Sequence, residues 1–202
     1  MTTIARTLSL LIALAMMAGC TSQRSARLDS LKTPQSPLQL VEAIWQLSAS
    51  GQVLDTGLYT ADNLKRAFGG SDVNVRVGKY DVLIGSYWAE IRNFPFETPP
   101  RSQTSLSIQR LTLHPDGALR SSVHLRFGQF PTTIDLAALE RLFGKSWIEK
   151  EYPLPPHPIP GPTDQVIQYK FGEEGSGWTA SFVIERGGTL KSVVGELNRP
   201  NS

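Results

Sequence analysis

The sequence predicts an α+β fold: two tandem repeats, each a short helix packed on an antiparallel β-sheet, preceded by an N-terminal helix. Three observations predict it. Leu64-Lys65-Arg66-Ala67-Phe68-Gly69 recurs as Leu139-Glu140-Arg141-Leu142-Phe143-Gly144 at an offset of 75 residues. Gly117-Ala118-Leu119-Arg120-Ser121 recurs in the same order as Gly188-Thr189-Leu190-Lys191-Ser192 at an offset of 71. Around these motifs, apolar and polar residues alternate with the two-residue period of strands. Two ordered matches at nearly one spacing mark a repeat of about 75 residues.

The organisation follows from the N-terminus onward. Residues 1–19 read as a signal peptide, with Arg6 ahead of an apolar run over 8–18 that is too short to span a bilayer of ~30 Å. Residues 20–35 are polar and aperiodic, as in a tether. Ser36-Pro37 opens a helix, since Ser caps well and Pro suits the first helical position. Leu40, Ile44 and Leu47 then share one face, and the helix should stop near Ser50-Gly51, with a linker to residue 56. Trp45 on this helix reads as core packing. Repeat 1 covers 57–129 and repeat 2 covers 130–198, leaving 199–202 as a tail. In each repeat an N-cap candidate, Thr60 or Asp135, precedes a helix with Leu and Phe four positions apart, and Gly ends it.

Strands are expected at 73–77, 80–91, 104–113 and 119–127, then at 146–151, 165–171, 178–185 and 190–197. Leu119, Ser121, Val123, Leu125 and Phe127 form one face of their strand; Ser122, His124 and Arg126 form the other. Ile167, Tyr169 and Phe171, and likewise Trp178, Ala180, Phe182 and Ile184, mark buried faces. Segment 80–91 breaks the pattern: Tyr80, Val82 and Ile84 lie on one side, Leu83 and Tyr87 on the other. Either a bulge shifts its register or its outward face is apolar because something binds there. Residues 153–162 carry six prolines. They form either a stiff connector guarding a sheet edge or a pre-ordered contact loop. Loop 93–100, with Phe94 and Phe96, is the second prominent loop.

Composition excludes several classes. With 20 Lys and Arg against 18 Asp and Glu, nothing predicts broad attraction to nucleic acid. Cys20 is the single cysteine, so the body has no internal disulfide, Cys-based metal site or Cys nucleophile. The three histidines, His114, His124 and His157, have no metal-ligand spacing, so no metal is expected. No Gly-x-Ser-x-Gly elbow, phosphate-binding loop or dinucleotide fingerprint occurs. Glu173-Glu174 and Glu149/Glu151 read as solvated acids rather than a facing catalytic pair. The expectation is a protein that is not an enzyme and needs no cofactor.

Met17-Ala18-Gly19-Cys20 resembles the lipobox of bacterial lipoproteins, followed by polar Thr21-Ser22-Gln23. The resemblance implies that Cys20 becomes the mature N-terminus and carries a diacylglycerol and an acyl chain. Two or more chains anchor stably, at ~0.8 kcal/mol per buried CH₂. By the same resemblance, Thr21 in place of a retention Asp implies the outer membrane, on its periplasmic side. The tandem repeat resembles the beta-lactamase inhibitor protein architecture. A lipobox followed by a helix ending in Phe-Gly and then strands is similar to the small SmpA/OmlA (BamE-like) outer-membrane lipoproteins. Both resemblances, over about 57–198, imply protein binding through an open sheet face and loops. The expected partner is an envelope protein, met as an inhibitor or immunity protein would meet it. The alternatives are an accessory role in outer-membrane or secretion-machine assembly, and an envelope hydrolase. Leu83, Tyr87, His124, Arg126 and Lys170, with Phe94 and Phe96 on their loop, form the expected contact set, since aromatic residues and Arg anchor interfaces.

Overall fold

Helix ends are where this sequence commits itself, and the capping residues act as their chemistry demands. The computed structural model describes residues 32–78, 85–97, 104–112, 118–128, 134–149, 165–173, 176–184 and 190–199. The leader, Cys20 and most of the tether lie outside the described residues. So do Leu83, the two hairpin turns and the proline-rich loop.

Helix α1 spans Pro37–Ala49, with Pro at its start, and the Ser36 hydroxyl accepts from the Gln39 N–H at 3.3 Å. Two short 3₁₀ turns follow, Gln52–Leu54 and Thr56–Leu58. Helix α2 spans Ala61–Phe68; Thr60 caps it by accepting from the Asn63 N–H at 3.3 Å. Gly69 ends α2 at φ +83°, where a side chain would be strained, and a Cβ there would press on the Pro34 carbonyl. Helix α3 spans Leu136–Phe143, and the Asp135 carboxylate accepts from the Ala138 N–H at 2.8 Å.

Among the described residues, eight strands form one antiparallel sheet: β1 (Asp72–Val77), β2 (Tyr87–Arg92), β3 (Ser105–Thr112), β4 (Leu119–Arg126), β5 (Ile148–Glu149), β6 (Gln165–Glu173), β7 (Ser176–Ile184) and β8 (Leu190–Arg199). Their order is β1-β2-β3-β4-β8-β7-β6-β5. The chain thus makes two four-stranded meanders, joined where β4 pairs antiparallel with β8. With a helical layer on an antiparallel sheet, the fold class is α+β.

The core lies between that helical layer and one face of the sheet. Alternation decides which residues enter it. Leu106, Ile108, Val123 and Leu125 point inward from β3 and β4; Ile167, Tyr169, Phe182 and Val193 do so from β6, β7 and β8. Leu64 and Phe68 of α2 and Leu139 of α3 are fully buried against them. Trp45 of α1 packs edge-on to Phe143 of α3 (5.9 Å) and meets Phe171 of β6 (6.2 Å), the packing role expected of it. Phe143 also meets Tyr169 and Phe182 at 5.1 and 5.0 Å, so the second meander is covered by an aromatic cluster. Gly195 on β8 is required by Trp178 on β7: a Cβ at Gly195 would run into the indole ring.

Residues 80–84 of the expected strand over 80–91 lie outside the described residues, and the remainder differs from expectation. Strand β2 starts only at Tyr87, because Gly85 turns the chain at φ +77°. Tyr87 therefore falls in step with Ala89 and Ile91 and faces the helical layer, not outward. The expected strand over 146–151 is confined, within the described residues, to Ile148–Glu149, while β8 extends beyond 197 to Arg199.

Candidate functional site

The residues that face away from the helices define the candidate site. Inter-strand register sorts them into rows across the sheet. One row runs Arg76, Trp88, Gln109, Ser122, Glu196, Thr179 and Lys170, from β1 to β6. The next contains Asn74, Glu90, Ser107, His124, Val194, Ser181 and Gln168. None of the three helices among the described residues covers this face. The middle strands β4 and β8 contribute Ser122, His124, Val194 and Glu196, while Arg76, Trp88 and Glu90 stand toward the β1–β2 side. There a shallow depression of about 420 Å³ is lined by Asn74, Arg76, Trp88, Ala89, Glu90 and Ser107.

Polar contacts fix part of this face. The Arg92 guanidinium donates to Glu90 Oε1, with Nε at 3.1 Å. Arg120 Nε donates to Asn198 Oδ1 at 2.9 Å across the β4·β8 join, and Gln168 Nε2 donates to Ser181 Oγ at 3.0 Å. Arg76, Arg126, His124 and Lys170 are exposed.

The expected contact set divides. His124 and Arg126 point outward from β4, and Lys170 points outward from β6. Lys170 lies three strands from β4, a separation of roughly 14 Å at the usual strand spacing, so the three share a face but not a contact cluster. Tyr87 does not belong with them. Its ring packs 5.2 Å from Tyr59, on the helical side. Phe94 is 3% exposed and stacks on Phe96 at 5.4 Å, so it supports its loop rather than presenting itself. Glu97 closes that loop by accepting from the Phe94 and Thr104 N–H groups at 3.2 and 2.9 Å. Phe96 is partly exposed, and Leu83 lies outside the described residues. The residue that sequence reasoning missed is Trp88. The alternation Tyr87, Ala89, Ile91 after Gly85 was the signal that places it outward.

Beneath the same meander, on the helical side, lies a buried cation. Arg110 is 9% exposed; its Nε donates to the Leu54 carbonyl at 2.7 Å, and Nη1 donates to the Gly85 carbonyl and to Thr112 Oγ1. Its guanidinium carbon sits 5.9 Å from the Tyr87 ring centre. Tyr59 donates to the Val53 carbonyl at 2.9 Å. Burial pushes the Tyr59 phenol well above its ordinary range, against the opposing pull of Ser121 and Arg110. These groups tie the 3₁₀ turns to the sheet and do not open onto the outer face.

Among the described residues no group of three or more His, Cys, Asp or Glu side chains is placed to hold a metal ion. None of their helices is long and apolar enough to cross a membrane. Compared with known protein families, with curated proteins and with solved structures, the chain matches none.

Proposed function

We propose that this chain is a membrane-anchored lipoprotein of the cell envelope, facing the periplasm, that binds another envelope protein as an inhibitor or immunity protein. One observation carries the reading: the described helices all lie on one face of the sheet, and the other face presents Trp88 and Arg76 beside a shallow depression. Trp and Arg are the side chains that most often dominate protein interfaces. Ser107, which lines the depression, is short and leaves room there for a partner side chain. Met17-Ala18-Gly19-Cys20 supports acylation at Cys20 and attachment to the outer membrane, with 21–35 as the tether.

We read the body as a tandem repeat. The motifs recur 75 residues apart, a side-chain cap three residues before the acceptor-bound N–H opens both α2 and α3, and each helix precedes one four-stranded meander. The copies have diverged in their contents. The first sets Arg110 beside Tyr87 and Tyr59, the second holds an aromatic cluster around Phe143.

The test is capture from envelope extract by residues 21–202, with bound proteins identified by mass spectrometry, in parallel with Trp88→Ala. The expected result is one stoichiometric enzyme or toxin whose affinity falls roughly thirtyfold in the variant, the loss of about 2 kcal/mol typical of an anchor residue. Recovery of assembly machinery alone, or capture indifferent to Trp88→Ala, overturns the proposal.

A further inference from the structure

Among the described residues the sheet ends on β1, and none of them pairs with the outer edge of that strand. It has no proline and no register shift, and Asp72, Asn74, Arg76 and Val77 are exposed, Val77 at 50%. Edge strands usually carry charges that repel a second strand. Here the order of the charges does the opposite. The five residues Asp72-Val73-Asn74-Val75-Arg76 are antisymmetric in charge and symmetric in shape about Asn74. Val73 and Val75 lie on the helical side, while Asp72, Asn74 and Arg76 lie on the open side. Among the described residues, neither Asp72 nor Arg76 enters an ion pair or a side-chain hydrogen bond.

We propose that β1 pairs antiparallel with the β1 of a second copy of this chain, about a twofold axis at Asn74. Asp72 of each copy then faces Arg76 of the other, Val73 faces Val75, and Asn74 faces itself. Both charged pairs fall on the open side and both valine pairs on the helical side, so each residue meets its complement on the correct face. Other registers fail. An axis at Val75 sets Asn74 against Arg76 and leaves Asp72 without its counter-charge. An axis at Val73 leaves Arg76 without one. Parallel pairing brings like charges together. A slip of one residue sets valines against polar side chains. The chosen register keeps both helical layers on one side and joins the open faces into one surface. It stands independently of what that surface binds. Six residues per copy give a contact at the low end of specific interfaces, so association depends on concentration.

The test is sedimentation equilibrium of the full chain in density-matched detergent over a range of concentrations, with far-UV circular dichroism to verify folding. The mass should double at high concentration. Asp72→Arg and Arg76→Asp should each weaken association roughly tenfold or more, since two attractive cross-strand pairs become repulsive. The double exchange Asp72→Arg/Arg76→Asp should restore it. With Cys20→Ser as background, Asn74→Cys should give a disulfide-linked dimer on mild oxidation, because facing residues at the axis fall within disulfide reach. A monomer at every concentration with no cross-link overturns the proposal. So does association indifferent to the single reversals, or one that the double exchange fails to restore.

Discussion

Tyr169 shows how one atom can work against the packing around it. Its ring is buried among Phe143, Phe171 and Phe182, but its hydroxyl finds no protein partner. An unpartnered buried hydroxyl costs about 1–3 kcal/mol. Burial, with the Glu140 charge adding to it, pushes the phenol up to about 12 from its ordinary 10. The folded state therefore holds the proton more tightly than the unfolded one. The stability this represents is complete below pH 10 and is lost as pH rises from there through about 12. Tyr169→Phe is expected to leave thermal stability at neutral pH unchanged or raised, and to flatten the decline above pH 10. Melting curves of both proteins across that range check it. Arg110 is the contrasting case: a buried charge satisfied by the Leu54 and Gly85 carbonyls, the Thr112 hydroxyl and the Tyr87 ring, without a carboxylate. Nothing in the local sequence Gln109-Arg110-Leu111 distinguishes it from an exposed Arg, because its partners come from segments 25 and 56 residues away.

Among the elements, helix ends were the most legible. Ser36, Thr60 and Asp135 each accept from the N–H three residues on, because short oxygen-bearing side chains reach that group without help from the rest of the fold. Thr60→Ala and Asp135→Ala should each cost about 1 kcal/mol, and about 2 kcal/mol together if the two helices respond independently, as separate sites usually do. Urea denaturation of the single and double variants measures this. Strands with one apolar face were equally legible, as Val123, Leu125, Tyr169 and Phe182 demonstrate. The failure at 80–91 has a local cause. Apolar residues on both sides of a segment suggest a long strand, whereas, within the described residues, the strand begins only after Gly85, at Tyr87. Tyr87, expected outward, faces the helical layer, and Trp88, the most prominent side chain of the candidate site, was not singled out. Phe94 was misjudged for another reason: a loop aromatic looks available until a second ring, Phe96, and the Glu97 carboxylate fold the loop over it.

For the molecule as a whole, the two meanders meet along β4 and β8, with Leu119 opposite Arg199 at one end and Arg126 opposite Ser192 at the other. Periodicity could identify the strands, but the choice of β4 and β8 as neighbours depends on which edges remain after each meander has formed. Within a meander, neighbours such as β3 and β4 pair through short connections. Across the join, Val123 lies opposite Gly195, 72 residues later. Closing so long a loop costs more entropy than closing the short connections within a meander, so the contacts inside each meander form first. The join should thus govern the order of events. Each meander condenses first, and the ladder between them zips in the final step, after the rate-limiting barrier. Asn198→Ala, which removes the side-chain hydrogen bond from Arg120 across the join, should speed unfolding while leaving the refolding rate nearly unchanged, a φ-value near zero in stopped-flow chevrons. Leu106→Ala, inside the first meander, should slow refolding instead. The sheet that looks continuous when finished would then carry a record of its assembly, with its youngest hydrogen bonds in the middle rather than at the rim.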